Sequence, residues 1–181
     1  GKTRVITHRI IHLITQGVAP ERILAVTFTN KAAKEMRGRV IELIGTFFPA
    51  SRAGYDALPT VTTFHSLGVR ILREHHETFG LKKQFTIYDR SDSSRAIKHA
   101  PVTNGSAPTQ SEPRRLLSHT SRAKGDAQSL ADFRDAARSY PERVTADVWE
   151  EYEAILRKEH ALDFDDLLAK TLSMLKSHPP I

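Results

Sequence analysis

The chain has 181 residues, 39% of them hydrophobic, a formal net charge of +6 at pH 7 and no cysteine. That length provides one large or two small domains with a real core, and the charge favours a polyanionic partner. The lack of cysteine excludes a disulfide framework, a thiolate zinc site and a cysteine nucleophile. No stretch approaches 18 consecutive apolar residues and no signal-peptide pattern is present, so a soluble cytoplasmic protein without a membrane segment is expected.

Gly1-Lys2-Thr3 opens a helix in which Ile6, Ile10, Leu13 and Ile14 share a face and which Gly17 ends. Glycine–lysine–threonine at a helix start matches the tail of a phosphate-binding loop, G-x-x-x-x-G-K-[ST]. In such a loop, backbone N–H groups and the helix dipole hold the phosphates, the lysine neutralises their charge and the hydroxyl ligates Mg²⁺. The five residues that would precede the triplet, and the strand before them, are not in the sequence. His8 and His12 stand at i, i+4, but no third ligand can be named and a solvated face is the expectation.

Ile23–Val26 reads as a strand buried on both faces of a parallel sheet. A polar turn follows, Thr27–Lys31, and then a helix with Ala33, Met36, Val40, Leu43 and Ile44 inward and Gly45 as its stop. Ligands of open α/β sheets bind beyond the carboxyl ends of the strands. There Thr27-Phe28-Thr29-Asn30-Lys31 offers hydroxyls, an amide, a cation and a ring, chemistry suited to a phosphate backbone with a base stacked on Phe28. A loop over 46–59 leads to a second strand, Thr60–Phe64, and a helix in which Phe64, Leu67 and Ile71 recur at helical spacing. Two strand–turn–helix units with polar junctions imply a doubly wound domain with one functional edge. Phe64-His65-Ser66-Leu67-Gly68 resembles a nucleophile elbow, G-x-S-x-G, but a phenylalanine stands where the tight turn needs glycine. No acid–histidine pair accompanies it, which argues against an esterase.

Phe85–Tyr88 reads as a short strand, and Asp89 or Ser91 caps a helix through Ile97. Residues 101–113 form a breaker-rich, mobile loop. A basic helix over Arg114–Lys124 carries Arg114, Arg115, Arg122 and Lys124 as candidate phosphate contacts. Ser129 caps a helix with Leu130, Phe133 and Ala137 inward, and Thr145 and Asp147 start a longer one with Val148, Tyr152 and Ile155 on one face. Helices without intervening strands suggest a separate helical subdomain. Asp163, Asp165 and Asp166 start a last helix whose apolar face is Phe164, Leu168, Leu172 and Leu175. Carboxylates favour a helix N-terminus on dipole grounds, and the preceding Arg157-Lys158-Glu159-His160 is not the apolar strand that a Mg²⁺-binding acid would end. Capping, not metal binding, is the expectation.

Three blocks together, Gly1-Lys2-Thr3-Arg4-Val5, Ile23 to Met36 and Thr63-Phe64-His65-Ser66, resemble the early motifs of the UvrD/Rep/PcrA family of superfamily 1 DNA helicases. Phe85-Thr86-Ile87-Tyr88-Asp89 and Ala161 to Leu168 resemble it too, so the similarity touches most of the chain. The resemblance implies an α/β fold, an incomplete P-loop NTPase (RecA-like) parallel sheet with an inserted all-helical subdomain. Residues 1–80 would be part of motor domain 1A, without its first strand and most of the P-loop. Residues 81–160 would be subdomain 1B, and 161–181 the helix returning to 1A. ATP and Mg²⁺ are the implied cofactors. Gly1, Lys2, Thr3 and Arg4 would bind the nucleotide, with Lys2 and Thr3 in the catalytic roles, Thr3 as the metal ligand and Arg4 against the adenine.

By the same resemblance, single-stranded DNA and duplex junctions are the partners. Thr27, Phe28, Thr29, Asn30, Lys31, Thr63, Phe64, His65 and Ser66 would contact the strand. The implied activity is that of the amino-terminal part of an ATP-dependent 3′-to-5′ DNA helicase in repair or replication, a recombination-nuclease helicase subunit being one variant. The family's Walker B acids, arginine finger and second motor domain are not among these residues, so the chain alone is expected to be inactive as an ATPase. The alternative is a stand-alone, non-enzymatic DNA-binding module. Without the central strand, a sheet edge would be left unpaired and stability would be marginal.

Overall fold

Apolar residues recurring every three or four positions wind the start of the chain into α1 (Lys2–Thr15), and Gly17 ends it with a left-handed φ of +85° that other residues resist. The computed structural model describes residues 2–48, 58–100 and 112–177, apart from the side chains of Lys2 and Glu112. The chain divides into two compact units, residues 1–67 and 68–181.

In the first unit, β1 (Leu24–Thr27) leads into α2 (Asn30–Phe47), and β2 (Thr60–Thr63) into α3 (Phe64–Glu74). The strands are parallel and in direct register, Leu24 against Thr60 through Thr27 against Thr63, so their carboxyl ends finish level. The core joins Ile10, Ile11 and Ile14 of α1, Met36, Val40 and Ile44 of α2, Ile23, Ala25 of β1 and Val61 of β2.

Several expectations change in this unit. Strand β1 is not buried on both faces: Ala25 and Thr27 are covered, but Leu24 is 51% exposed. The helices α1 and α2 cover one side of it, and its only strand neighbour among the described residues is β2. The inward face of α1 is turned by one residue, with Thr7 buried where Ile6 was expected. The Thr7 hydroxyl stays satisfied by donating to the Arg4 carbonyl at 2.9 Å. Gly45 does not stop α2, which runs on to Phe47; the glycine keeps a helical φ, at a cost of about 1 kcal/mol relative to alanine. Phe64 opens α3 rather than closing the strand, because the Thr63 hydroxyl caps the helix one residue earlier than expected. The expected loop over 46–59 has helical residues at its start, and 49–57 lie outside the described residues.

The second unit repeats the strand–cap–helix device. Strand β3 (Thr86–Tyr88) leads into α4 (Arg90–His99) and β4 (Ala161–Asp163) into α8 (Phe164–Ser177). These strands are again parallel, Tyr88 against Asp163 at their ends. Between them run α5 (Glu112–Gly125), α6 (Leu130–Ala136) and α7 (Tyr140–Lys158). One apolar cluster gathers Ala96 and Ile97, Leu116 and Leu117, Val148, Tyr152 and Leu156 with Ala161 of β4. A second holds Leu72, Phe85, Leu162 and Leu167.

Here too the structure corrects the sequence reading. Helix α7 begins at Tyr140, not Thr145, because Ser139 and Glu142 form a capping box. Pro113 sits in the first turn of α5; 101–111, the rest of the expected loop, lie outside the described residues. The apolar face expected of α8 points outward, Phe164, Leu168, Leu172 and Leu175 being 40–47% exposed, while Leu167, Thr171 and Met174 are buried. Gly68 is what brings α8 in: a Cβ there would stand 2.9 Å from the Leu167 carbonyl oxygen and 3.0 Å from the Thr171 hydroxyl.

Candidate nucleic-acid interface

Strand ends that finish level create a rim, and the first unit's rim is made by the two threonine corners. Thr27 ends β1 and is buried, its hydroxyl donating to the Thr29 carbonyl at 3.0 Å, which folds the turn back on itself. Thr29 then caps α2, accepting from the Ala32 N–H at 3.1 Å. At the neighbouring corner the buried Thr63 accepts from the Ser66 N–H at 3.2 Å and donates to the Ser66 hydroxyl at 2.9 Å. Arg37 of α2 donates to the Val61 carbonyl at 2.6 Å, tying the helix that leaves one corner to the strand that enters the other.

These internal bonds leave the rest of the rim facing solvent. Phe28 is 90% exposed, an extreme value for a large apolar side chain, and Phe64 is partly exposed beside it. Their ring centroids lie 5.6 Å apart, tilted by 52°. Thr29, Asn30, Lys31 and Ser66 are exposed and His65 is half-buried. Neither α2 nor α3 has an acidic residue in its first turn, so both helix N-termini present their partial positive charge uncompensated. The residues named from the sequence as DNA contacts therefore fall into two sets. Thr27, Thr29 and Thr63 build the corners, while Phe28, Asn30, Lys31, Phe64 and Ser66 face outward and His65 is half-buried.

At the chain's start, α1 begins at Lys2, with no acid in its first turn, Thr3 half-buried and Arg4 exposed. A helix N-terminus of this composition fits an anionic phosphate. Gly1 and the Lys2 side chain lie outside the described residues. Among the described residues no group of three or more His, Asp or Glu side chains gathers into a metal site, and His8 and His12 are exposed.

The second unit's corners carry carboxylates instead. Asp89 accepts from the N–H groups of Ser91 and Asp92, and Asp163 from that of Asp166 at 2.7 Å. Capping by Asp163 was expected, but the residue closes a short buried strand and does more. Its other oxygen accepts from Lys124 Nζ at 3.0 Å and from the Tyr152 hydroxyl at 3.0 Å. Lys124 also pairs with Asp166 at 3.1 Å and Glu153 at 2.6 Å. Lys124 is thus a buried clamp, 7% exposed, and not the surface phosphate contact its place in a basic helix suggested; Arg114, Arg115 and Arg122 do face solvent. The three carboxylates hold the Lys124 ammonium well above its usual range despite burial. Desolvation pushes Asp166 up to about 6, against the pull of Lys124 and with help from Asp163 and Glu153. Neither this cluster nor Arg37 was named from the sequence: a lysine in a basic run and an arginine on a helix carry no local sign of a buried or carbonyl-bound fate.

Comparison with known proteins matches the whole chain, residues 1–181, to the UvrD/REP helicase N-terminal domain. Among curated proteins, the chain is 41% identical to the ATP-dependent DNA helicase PcrA of Leuconostoc citreum and 38% identical to that of Bacillus subtilis (strain 168). It is 36% identical to the PcrA of Staphylococcus aureus (strain Mu50). Each match covers 100% of this chain but only 23–24% of the relative, so the chain spans about a quarter of their length. A family match over all 181 residues places the chain in the UvrD/Rep helicase family, as a UvrD/REP helicase N-terminal domain.

Proposed function

We propose that this chain is the nucleotide- and strand-binding portion of an ATP-dependent DNA helicase, with the rim of β1 and β2 as its contact for single-stranded DNA. The observation that carries the reading is Phe28, 90% exposed beside Phe64 on a rim free of carboxylates in the first turns of α2 and α3. Exposing an aromatic ring to water is unfavourable unless something covers it in use, and a nucleobase stacks on such a ring for about 1–3 kcal/mol. Asn30, Lys31 and Ser66 beside the rings supply phosphate and base hydrogen bonds, and the two helix N-termini add positive potential.

At the chain's start, Lys2 and Thr3 would hold the phosphates of ATP, Thr3 would supply one oxygen to Mg²⁺, and Arg4 would lie against the adenine. ATP, when bound, supplies the phosphoryl transfer whose free energy drives movement along the strand. In this assignment residues 1–80 belong to a RecA-like motor domain 1A, 81–160 to helical subdomain 1B, and 161–181 to the return into 1A. The 3′-to-5′ direction, and work in repair or replication, follow from the family resemblance. By the family resemblance, the acids and the arginine that would work with Lys2 and Thr3 are not among these residues, and phosphoryl transfer needs them. The chain alone therefore turns over ATP negligibly; DNA-stimulated turnover at a motor enzyme's rate would refute this.

The direct test is binding of a single-stranded oligonucleotide across a salt series. Phe28→Ala should weaken binding by about 5–100-fold, the worth of one stacked base, and Asn30→Ala should weaken it less. Unchanged affinity in Phe28→Ala would remove the rim from the interface.

A further inference from the structure

Helices α7 and α8 leave a groove of about 620 Å³ between them. Trp149, Glu153 and Arg157, at i, i+4 and i+8, come from α7, and Asp166, Ala169, Ser173 and Lys176 from α8. Ala127, Leu130 and Leu172 add to the apolar lining, and the small side chains of Ala169 and Ser173 leave room for bulkier ones to enter. Leu172 also belongs to the outward stripe of α8, with Leu168 and Leu175 on either side of it. The charges in the groove are unequally engaged. Glu153 and Asp166 are drawn onto Lys124 at 2.6 and 3.1 Å, and Glu150 onto Arg134 at 2.8 Å. Among the described residues, Arg157, Lys170 and Lys176 have no carboxylate within salt-bridge reach. The charges left over for a partner are therefore all positive.

From this pattern we propose that the α7–α8 groove docks a partner protein through an acidic amphipathic helix, its apolar side chains in the groove and its carboxylates against Arg157, Lys170 and Lys176. An apolar strip rimmed by charge is the surface that such a helix covers. From Asp166 to Lys176 the wall of α8 advances about 15 Å, which seats nearly three turns of a partner helix and so anchors at i, i+3 or i+4, and i+7. A second copy of the chain suits the groove poorly, since its net charge of +6 would face the three free cations. A nucleic acid suits it poorly too. Glu150, Glu153 and Asp166 stand within the lining and oppose a phosphate backbone, and Trp149, 3% exposed, presents no face for a base. An acidic helix avoids this conflict, because it carries its carboxylates on its flanks and an apolar stripe toward the floor.

Trp149, the single tryptophan of the chain, lines the groove and reports its occupancy. The probe is a designed, tryptophan-free helix of about 18 residues with one leucine stripe flanked by glutamates; a second peptide has lysine in place of each glutamate. Titrated into the 181-residue chain at low salt, the glutamate peptide should shift Trp149 emission to saturation and bind on the order of 10-fold more tightly than the lysine peptide. Arg157→Glu with Lys176→Glu should reverse that preference. Arg115→Glu with Arg122→Glu, an equal change of net charge on exposed side chains outside the groove, should preserve it. Leu172→Gln should weaken the glutamate peptide about 5–10-fold, and circular dichroism confirms that each variant keeps its fold. The proposal is overturned if neither peptide moves the emission, if both bind alike, or if the Arg115/Arg122 pair reverses the preference as well. An oligonucleotide that moves the emission instead, and fails to do so in the Arg157/Lys176 pair, would overturn it in favour of a nucleic-acid surface. Emission that changes with the chain's own concentration would overturn it in favour of a second copy. Phe28 takes no part in these measurements, so the rim reading stands or falls separately.

Discussion

Residue by residue, the same side chain type is put to opposite uses according to what surrounds it. Lys31 and Lys124 both sit in polar stretches of sequence, yet one is exposed at the rim and the other is enclosed by three carboxylates and a tyrosine. One ammonium among three carboxylates leaves an excess of negative charge, and burial raises its cost, so Asp166 resists ionising and its carboxyl moves from 3.8 to about 6. A carboxyl whose pKa is higher in the folded state binds its proton more tightly there. Its contribution to stability is therefore fully present below the ordinary value and is lost as pH rises through about 6. Denaturant midpoints measured from pH 4 to 7 should show wild type losing on the order of 2 kcal/mol relative to Asp166→Asn over that window. Parallel profiles for the two proteins would mean that Asp166 ionises freely in its buried place. The groups facing Asp166 in this experiment are Lys124, Asp163, Glu153 and Lys170, and all four are retained in the variant.

At the level of elements, periodicity located the helices well and their inward faces less well. The rim was legible because its chemistry is local: an apolar strand, a threonine cap and a helix follow one another within about a dozen residues. The faces of α1, α3 and α8 each turned by about one position, because a helix settles on the neighbours it meets and those neighbours are distant in sequence. In α3 the buried residues are Gly68 and Leu72 where Leu67 and Ile71 were expected. In α8, contact through Gly68 and anchorage of Asp166 on Lys124 together select Leu167, Thr171 and Met174 over the more apolar stripe beside them. Two substitutions on α8 separate the alternatives. Met174→Ala should cost about 2–5 kcal/mol, since Met174 is fully buried, whereas Leu172→Gln should stay within about 0.5 kcal/mol. Gly68→Ala should cost about 1–3 kcal/mol, because its methyl would press on backbone that cannot withdraw. The reverse order for Met174 and Leu172 in urea denaturation would restore the stripe read from periodicity.

At the scale of the whole molecule, the described residues build separate apolar cores in the two units. Among the described residues, the buried apolar cluster of the first unit runs from Ile10 to Val61, and those of the second unit begin at Leu72. Separate cores predict separate cooperative transitions. The chain offers a convenient reporter, because its single tryptophan, Trp149, lies in the second unit, hydrogen-bonded to Glu153 of the buried ion cluster. Tryptophan emission should therefore follow the second unit alone, while far-ultraviolet circular dichroism follows both. Met36→Ala removes a buried side chain from the first core, a loss of about 2–5 kcal/mol. It should move one dichroism transition down by at least about 8 °C and leave the Trp149 transition where it was. A saturating single-stranded oligonucleotide should act in the opposite sense on the same transition, because a ligand stabilises the unit it binds. If Met36→Ala and the oligonucleotide both shift the Trp149 transition as far as the dichroism one, the two cores melt as one. The rim could not then be assigned to a separately stable first unit.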